Sequence, residues 1–210
     1  MRPGSRQAKK IPLSPSSTKS NPPHIQENIM ARIPPVKDED FDQRTSDVMA
    51  KVRKQWGSSW NITRGMAHNP AILEGFLAFW KAIDRSGLSK TDREVVCMEM
   101  AFKNSCHYCV PAHRYVSDQN GVDLEMIEKV ALGETLEGDS REAVIQHLVR
   151  RLDESRGKLS DEEFQSFQDQ GVSVPEMVAL IAEISHCTLT NFFNRLADTD
   201  LDPFLKKYLR

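Results

Sequence analysis

The stretch NPAILEGFLAFWKAIDRSG, residues 69–87, carries the full sequence pattern of an amphipathic helix. Asn69 is suited to cap its N-terminus, Pro70 fits the first helical position, and Gly87 supplies a stop. Between them, apolar side chains recur at the spacing of one helix face: Ile72, Leu73, Phe76, Leu77, Trp80 and Ile83. The stretch predicts a helix that buries one stripe against a core.

Helical spacing of apolar residues continues through most of the chain from residue 40 onward. The stretch DSREAVIQHLVRRLDESRG at 139–157 repeats the pattern, and TDRE at 91–94 and SDEE at 160–163 predict capping boxes at two further helix starts. The longest candidate runs from Pro175 to about Ala197, and its middle is apolar most of the way round, which predicts a central or interface-buried helix. No sustained alternation of β-branched residues is present, so the predicted fold class is all-α.

The composition is that of a globular protein with one sizeable core. The chain has 210 residues, of which 39% are hydrophobic and 28% are charged. No apolar run approaches the roughly 18 residues that span a bilayer, so we do not expect a membrane protein. The net charge is −2, yet residues 1–26 hold five basic residues and no acidic one, so the remaining chain is acidic. An acidic body does not favour binding to the phosphate backbone of a nucleic acid.

The N-terminal segment, residues 1–29, is rich in Pro, Ser and Lys and has few large apolar side chains. Such a segment cannot bury enough surface to offset its ordering entropy, which predicts a disordered extension before a domain at 30–210. Two alternatives stay open, namely an organellar transit peptide, which the prolines disfavour, and an upstream extension before MARIPPV at Met30. Four cysteines without a secretory signal favour a cytoplasmic location, where a Cys-x-x-Cys pair is catalytic or binds a metal.

The most specific motif is NSCHYCVPAH, residues 104–113. If a helix begins at either of its first two residues, Cys106, Cys109 and His113 lie at positions i, i+3 and i+7 and share one face. Cys106 would then sit in the first turn, where free backbone N–H groups and the helix dipole favour a thiolate. His113 would lie one turn beyond Cys109, from which it can take a proton. The motif is consistent with a redox dithiol, with part of a metal site or with buried thiols in a helix, and the shared face with His113 favours the first two.

Glu94 lies twelve residues before Cys106, and His113 lies four residues after Cys109. This spacing, with the preceding GLSKTDRE and the following PAH, resembles the alkylhydroperoxidase D (AhpD)-like, peroxidase-related branch of the carboxymuconolactone decarboxylase family. The resemblance covers roughly residues 30–205. It implies an AhpD-like helical bundle whose subunits form dimers, trimers or hexamers.

The resemblance also implies a thiol-dependent peroxidase, or a disulfide oxidoreductase, that acts on a hydroperoxide. A redox-active disulfide would join Cys106 and Cys109, with Glu94 and His113 as a proton relay and with no further cofactor or metal. A thioredoxin-like or lipoyl dithiol would reduce it. Within the pair, the resemblance favours Cys109 as the thiol that attacks peroxide and Cys106 as the resolving thiol. AhpD itself has a histidine where this chain has Tyr108, and a tyrosine with a pKa near ~10 is a poor base at neutral pH.

Three alternatives to this interpretation stay open. A zinc site would use the same two cysteines and His113, with His107 or a water as the fourth ligand, although structural zinc sites usually draw on two separated ligand pairs. A carboxymuconolactone decarboxylase-type lyase needs acid–base groups and no dithiol. A non-catalytic, redox-sensing oligomeric module would require the fold but no catalytic activity. Glu94 also has a structural alternative, as the acid of the capping box that begins at Thr91.

The remaining candidates are interpreted as structural residues. Cys97 and Cys187 lie on apolar stretches and are expected to be buried, to stay reduced and to take no part in redox chemistry. The three tryptophans, Trp56, Trp60 and Trp80, are expected in the core. The polar residues of the longest helix are expected to be interface or capping groups, with a pocket lining as the alternative; they are His186, Thr190, Asn191 and Asn194.

Overall fold

The structure is a computed structural model that describes residues 31–209. Its α-helices are α1 Gln43–Trp56, α2 Asn61–Met66, α3 Pro70–Ile83, α4 Lys90–Lys103, α5 Cys109–Asn120, α6 Leu124–Ala131, α7 Arg141–Glu154, α8 Asp161–Asp169 and α9 Val174–Ala197. Short 3-10 helices cover Asp38–Asp40 and Pro203–Tyr208. The described residues contain no strand, which confirms the predicted all-α class. The predicted disorder of residues 1–29 lies outside these residues and stays a prediction.

Two of the predicted helix starts are found where the sequence places them. Asn69 caps α3, its side chain accepting the N–H of Ile72, and Pro70 is the first helical residue. The stripe of α3 is buried at Leu73, Phe76, Leu77 and Ile83, whereas Ile72 is exposed. The capping box predicted at SDEE is present at the start of α8. Local sequence rules therefore account for both starts.

The central helix of the bundle is α4. It packs against α5, α6, α7 and α9, and its residues 94–101 are all buried. One hydrophobic cluster joins α4 to α6, α7 and α9, and a second joins α1, α2 and α3 to the start of α5. Charged groups that α4 carries into the core are paired, as the burial of a charge demands. Arg150 donates to Glu99 at 2.8 Å, and Arg141 donates to Asp92 at 3.1 Å.

The longest predicted helix is present as α9, but it lies beside α4 and does not occupy the centre. One of its sides packs on α2, α3 and α4. Another side exposes apolar residues: Val174, Val178, Ile181, Leu189, Phe192 and Leu196. Such a face is typical of an interface helix, and the oligomeric state stays a prediction. No single helix among the described residues is long and apolar enough to cross a membrane; by length and composition alone, α8 and α9 would qualify together as a pair bent by 107°.

Candidate active site

The start of α4 decides the environment of Glu94. The N-cap is Ser89, whose hydroxyl accepts the Asp92 N–H at 2.9 Å while the Asp92 carboxylate accepts the Ser89 N–H at 3.1 Å. The capping box is therefore SKTD, and the box predicted two residues later, from Thr91 to Glu94, is wrong. Because Asp92 has taken the capping position, Glu94 lies beyond it in the helix and is buried, with 7% of its surface exposed.

The turn between α4 and α5 sets the position of the first cysteine. Ser105, two residues after the end of α4, adopts the left-handed conformation with φ 50°. The Ser105 N–H donates to the Phe102 carbonyl and the Cys106 N–H to the Ala101 carbonyl, both at 2.9 Å, which is the Schellman pattern of a helix end. The next helix starts only at Cys109. The prediction that Cys106 lies in the first helical turn is therefore wrong, because the left-handed residue ends α4 and a further turn is needed before α5.

Cys106 and Cys109 are joined by a disulfide, with their Cα atoms 5.3 Å apart. Both residues are buried. Each sulfur faces one polar donor. The Cys109 N–H lies 3.2 Å from the Cys106 Sγ, and the Asn194 Nδ2 of α9 lies 3.4 Å from the Cys109 Sγ. Hydrogen bonds to a thiolate favour that form, so each sulfur has a donor available once the disulfide opens.

Glu94 and His113 form a hydrogen-bonded pair beside the dithiol. The His113 Nδ1 lies 3.0 Å from the Glu94 Oε2, and the Ser117 hydroxyl donates to the same oxygen at 3.4 Å. A carboxylate only accepts hydrogen bonds, so it holds the His113 tautomer that carries its proton on Nδ1. This leaves Nε2 as the nitrogen that can accept a proton. His113 lies one turn beyond Cys109 on α5, and the two residues face the same side of that helix.

Tyr108, the residue before Cys109, is a buried hydrogen-bond donor. Its hydroxyl donates to the Asp202 Oδ2 at 2.5 Å, and Asp202 also accepts the Asn61 N–H at 3.2 Å. Burial and the neighbouring Asp202 carboxylate raise the pKa of Tyr108 well above its ordinary value, so the phenol stays protonated. The His107 Nε2 lies 3.0 Å from the Thr199 carbonyl oxygen, so the fourth zinc ligand considered from the sequence is engaged elsewhere.

A cavity of about 620 Å³ lies beside Cys109. Cys109 lines it together with Glu94 and His113, whereas Cys106 does not line it. Part of its wall is aromatic, with rings from Trp56, Trp60, Phe76, Trp80 and Tyr115. The three tryptophans predicted as core residues are therefore walls of a cavity. The sequence could not distinguish the two roles, because a cavity wall and a hydrophobic core both require apolar side chains.

Three of the four polar residues singled out on α9 line this cavity, so the predicted alternative of a pocket lining is correct for them and the assignment to an interface or to caps is wrong. His186, Thr190 and Asn194 line the cavity, and Asn191 bonds a side chain of the turn before Cys106 at 2.9 Å. Burial lowers the pKa of His186 to about 3, so its ring is neutral. The spacing of these residues, at i, i+4 and i+8, was a sequence signal for a polar stripe along one face.

Cys97 of α4 and Cys187 of α9 are buried as predicted, but their sulfurs meet, 3.0 Å apart. The Glu183 Oε1 lies 3.5 Å from the Cys97 Sγ, and the Arg93 Nε donates to the Glu183 Oε2 at 2.6 Å. The hydrogen bond with Cys187, together with burial, raises the pKa of Cys97 well above its ordinary value. The two cysteines lie 90 residues apart, and no local sequence pattern connects them.

The helices that carry the dithiol also match a known protein family. Residues 70–143 match the carboxymuconolactone decarboxylase family. This carboxymuconolactone decarboxylase match runs from α3 into the first turn of α7, and it contains Glu94, both cysteines of the motif and His113. The resemblance that the motif predicted is thereby confirmed. No curated protein matches the chain by sequence.

Solved structures extend the likeness to most of the chain. The alkylhydroperoxidase AhpD core of an uncharacterized peroxidase-related protein from Ralstonia eutropha is 17% identical, with a TM-score of 0.73 over 85% of this chain and 96% of that one. An uncharacterized peroxidase-related protein from a Silicibacter species is 17% identical, with a TM-score of 0.70 over 82% and 94%. The apo debrominase Bmp8 is 17% identical, with a TM-score of 0.67 over 84% and 95%. These likenesses show the fold, which is the AhpD-like helical bundle that the resemblance implied.

Proposed function

We propose that the protein is a thiol-dependent hydroperoxidase or disulfide oxidoreductase whose redox centre is the Cys106–Cys109 pair. The observation that carries the proposal is the disulfide itself, placed beside a cavity that His113 and Glu94 also line. A decarboxylase of the same family needs acid–base groups but no dithiol, so the cysteine pair favours redox chemistry over lyase chemistry.

Cys109 is the attacking thiol in this mechanism, because it lines the cavity and has His113 one turn away to accept its proton. The thiolate attacks the terminal oxygen of a hydroperoxide and breaks the O–O bond. An alcohol leaves with the proton, and Cys109 becomes a sulfenic acid. The Cys106 thiolate then attacks the Cys109 sulfur, water leaves, and the disulfide forms. A thioredoxin-like or lipoyl dithiol reduces that disulfide and closes the cycle.

The residues around the dithiol have different roles in this mechanism. Glu94 orients His113 and stabilises its protonated form. Asn194 donates towards the Cys109 sulfur and stabilises its thiolate. Tyr108 takes no part in proton transfer, because its phenol is committed to Asp202. The relay therefore consists of His113 and Glu94 alone, so peroxide turnover is expected to be slower than in a site with a second histidine.

A thiol count tests this proposal. The fully reduced chain has four cysteine thiols. After one equivalent of hydroperoxide, the reaction is quenched, the protein is denatured in the presence of a chelator, and the remaining thiols are alkylated and counted. We expect two alkylated thiols. Peptide mapping should place the new disulfide between Cys106 and Cys109, with Cys97 and Cys187 still reduced. The Cys106→Ser/Cys109→Ser double variant is the control and should lose no thiol. Retention of all four thiols after excess hydroperoxide would overturn the proposed hydroperoxidase.

A second candidate is the thiol-dependent removal of a halogen from an aromatic compound. The aromatic wall of the cavity favours it, and the fold neighbour Bmp8 is a debrominase that has also been solved as a cysteine variant with 2,3,4-tribromopyrrole. In such a reaction the C–Br bond is replaced by C–H, bromide leaves, and two thiols become the disulfide. Bromide release from tribromopyrrole by the reduced protein, with no reaction towards hydroperoxide, would favour this candidate over the first.

A further inference from the structure

Three side chains of α4 and α9 form a compact cluster that the proposed redox chemistry does not use. Sulfur atoms of Cys97 and Cys187 and a carboxylate oxygen of Glu183 lie within 4.8 Å of one another, and all three residues are buried. We propose that this cluster binds a thiophilic divalent cation of the zinc class, and that His186, which lies outside the cluster beside Glu183, moves in as the fourth ligand. Thiolate, carboxylate and imidazole are the ligand types that zinc takes, and four protein ligands make a closed tetrahedral site.

The two contacts of the Glu183 Oε1 suit such a site, whereas the His186 ring must move towards the two sulfurs to bind. Bonds of about 2.0–2.3 Å to a tetrahedral zinc put neighbouring ligand atoms roughly 3.3–3.8 Å apart. The Cys97 Sγ lies 3.5 Å from the Glu183 Oε1, and that oxygen lies 3.6 Å from the His186 Nδ1. The two sulfurs, now 3.0 Å apart, need to separate by about 0.7 Å, which a small side-chain rotation supplies.

His186 provides an independent indication of a missing partner. Its side chain is 9% exposed, and neither ring nitrogen has a hydrogen-bond partner in the described part of the chain. Buried polar groups are normally bonded, so an imidazole with two unsatisfied nitrogens needs an explanation. The ring stacks on Phe76 with centroids 4.7 Å apart and an interplanar angle of 9°, which fixes its plane. A cation bound to Nδ1 would satisfy the nitrogen that lies nearest to Glu183.

Arg93 holds the carboxylate in the orientation that a cation needs. Its Nε donates to the Glu183 Oε2 at 2.6 Å, which leaves Oε1 directed towards Cys97. Its Nη1 is anchored by Asp84 at 2.9 Å. Carboxylates that bind metals are commonly held by such an outer partner. The charges also balance, because two thiolates and a carboxylate face a divalent cation and the Arg93 guanidinium. Arg93 is therefore a positioning residue and not a ligand.

The cluster has access to solvent through the cavity. All four candidate ligands, Cys97, Glu183, His186 and Cys187, line its wall. None of them belongs to the Cys106–Cys109 pair, so the two sites are chemically separate although they share a cavity. On binding, each thiol gives its proton to water and forms a sulfur–metal bond, and no electron is transferred. A bound cation would also keep Cys97 and Cys187 reduced.

Cobalt(II) is the probe, because tetrahedral thiolate coordination gives it strong visible absorption and a sulfur-to-cobalt charge-transfer band. The experiment uses the full chain carrying Cys106→Ser/Cys109→Ser, in which Cys97 and Cys187 are the remaining cysteines. We expect one cobalt ion per chain with this spectrum, displaced by zinc. Adding Cys97→Ser or Cys187→Ser to this background should abolish the charge-transfer band.

Two further variants test the positioning role of Arg93. Arg93→Lys keeps the charge but loses the Nε contact, and it should weaken cobalt binding about 10- to 100-fold and alter the visible bands. Asp84→Asn is the matched control, because it removes only the outer anchor of Arg93 and should leave the spectrum unchanged. Equal effects of both variants would overturn the role assigned to Arg93.

Two results would overturn the proposal itself. One is the absence of a cobalt band at millimolar cobalt in a protein that circular dichroism shows to be folded. The other is a Cys97–Cys187 disulfide in protein isolated without oxidant, which would make the pair a redox pair. If the serine variants do not fold, X-ray absorption of the zinc-loaded wild-type chain, with its Cys106–Cys109 disulfide intact, must show two sulfur neighbours. Fewer than two would overturn the proposal, and none of these results affects the thiol count at Cys106 and Cys109.

Discussion

Replacing Glu94 with glutamine separates its catalytic contribution from its structural one. The carboxylate accepts hydrogen bonds from His113 at 3.0 Å and from Ser117 at 3.4 Å. Glutamine has the same size and keeps one acceptor oxygen, so both contacts can form while the negative charge is lost. A positioned proton-transfer group contributes roughly 10²- to 10⁴-fold to a rate, and Glu94 acts on that transfer through one intervening ring. We therefore expect the reaction with hydroperoxide to slow by about 10- to 100-fold.

The expected cost in stability is smaller than the cost in rate. A rate loss of that size corresponds to about 1.4–2.7 kcal/mol of transition-state stabilisation. The exchange of a charged acceptor for a neutral one should lower the free energy of unfolding by about 1 kcal/mol. Asp92→Asn is the matched control, because Asp92 caps α4 and binds Arg141 but does not line the cavity. It should lower the free energy of unfolding by about 1–3 kcal/mol and leave the rate unchanged.

Stopped-flow mixing of the reduced protein with excess organic hydroperoxide, repeated over a range of pH, measures the rates, and urea denaturation measures the stabilities. A Glu94→Gln rate within twofold of the wild-type rate would refute the relay. Equal rate losses in Glu94→Gln and Asp92→Asn would also count against it, since they would indicate a general loss of packing around α4 and not a loss of proton transfer.

Three further measurements address the dithiol, the turn before it and the assembly. Cys106→Ser should still be oxidised by hydroperoxide and give a sulfenic acid at Cys109 that dimedone traps, whereas Cys109→Ser should react slowly; the reverse labelling would assign the attack to Cys106. Ser105→Gly should raise the free energy of unfolding by about 0.5–1 kcal/mol in a urea titration, because glycine adopts a positive φ without steric cost, and an unchanged midpoint would contradict this. Sedimentation at micromolar concentration should find a dimer or larger oligomer, since α9 exposes an apolar face, and a stable monomer would show that this face is not an interface.

Local rules predicted which segments are helical, but they left some helix boundaries undecided. SKTD and TDRE overlap, and both satisfy the spacing of a capping box. In the structure α4 begins with the earlier box, SKTD, and the Asp92 of that box also contacts Arg141 of α7. A local sequence pattern cannot predict this contact with another helix. The shift of two residues matters because it removes the capping alternative for Glu94, whose carboxylate contacts His113 instead. Ser105 was ambiguous in the same way, since serine suits a helix start but here ends α4.

Contacts between distant segments were beyond the reach of sequence patterns. Cys97 meets Cys187 across 90 residues, and Asn194 reaches Cys109 across 85. Both contacts depend on how α9 lies against α4 and α5, whereas a spacing pattern describes neighbours along one helix. The spacing within the motif is local, within one helix or one turn, which is why the sequence could predict that Cys106, Cys109 and His113 lie close together. The second pair of cysteines was missed because its geometry is entirely tertiary.

The hydrogen bond from Tyr108 to Asp202 joins three separate parts of the chain at a single carboxylate. One part is the turn that carries the disulfide, the second is the start of α2, where the Asn61 N–H donates, and the third is the C-terminal segment. A chain cut after residue 200 would leave the phenol and this N–H without the Asp202 acceptor, at a cost of about 1–3 kcal/mol for the buried phenol. A purification tag added after Arg210 keeps the Asp202 contacts, whereas removal of the last ten residues deletes Asp202 and with it the hydrogen bond of Tyr108, the residue next to Cys109.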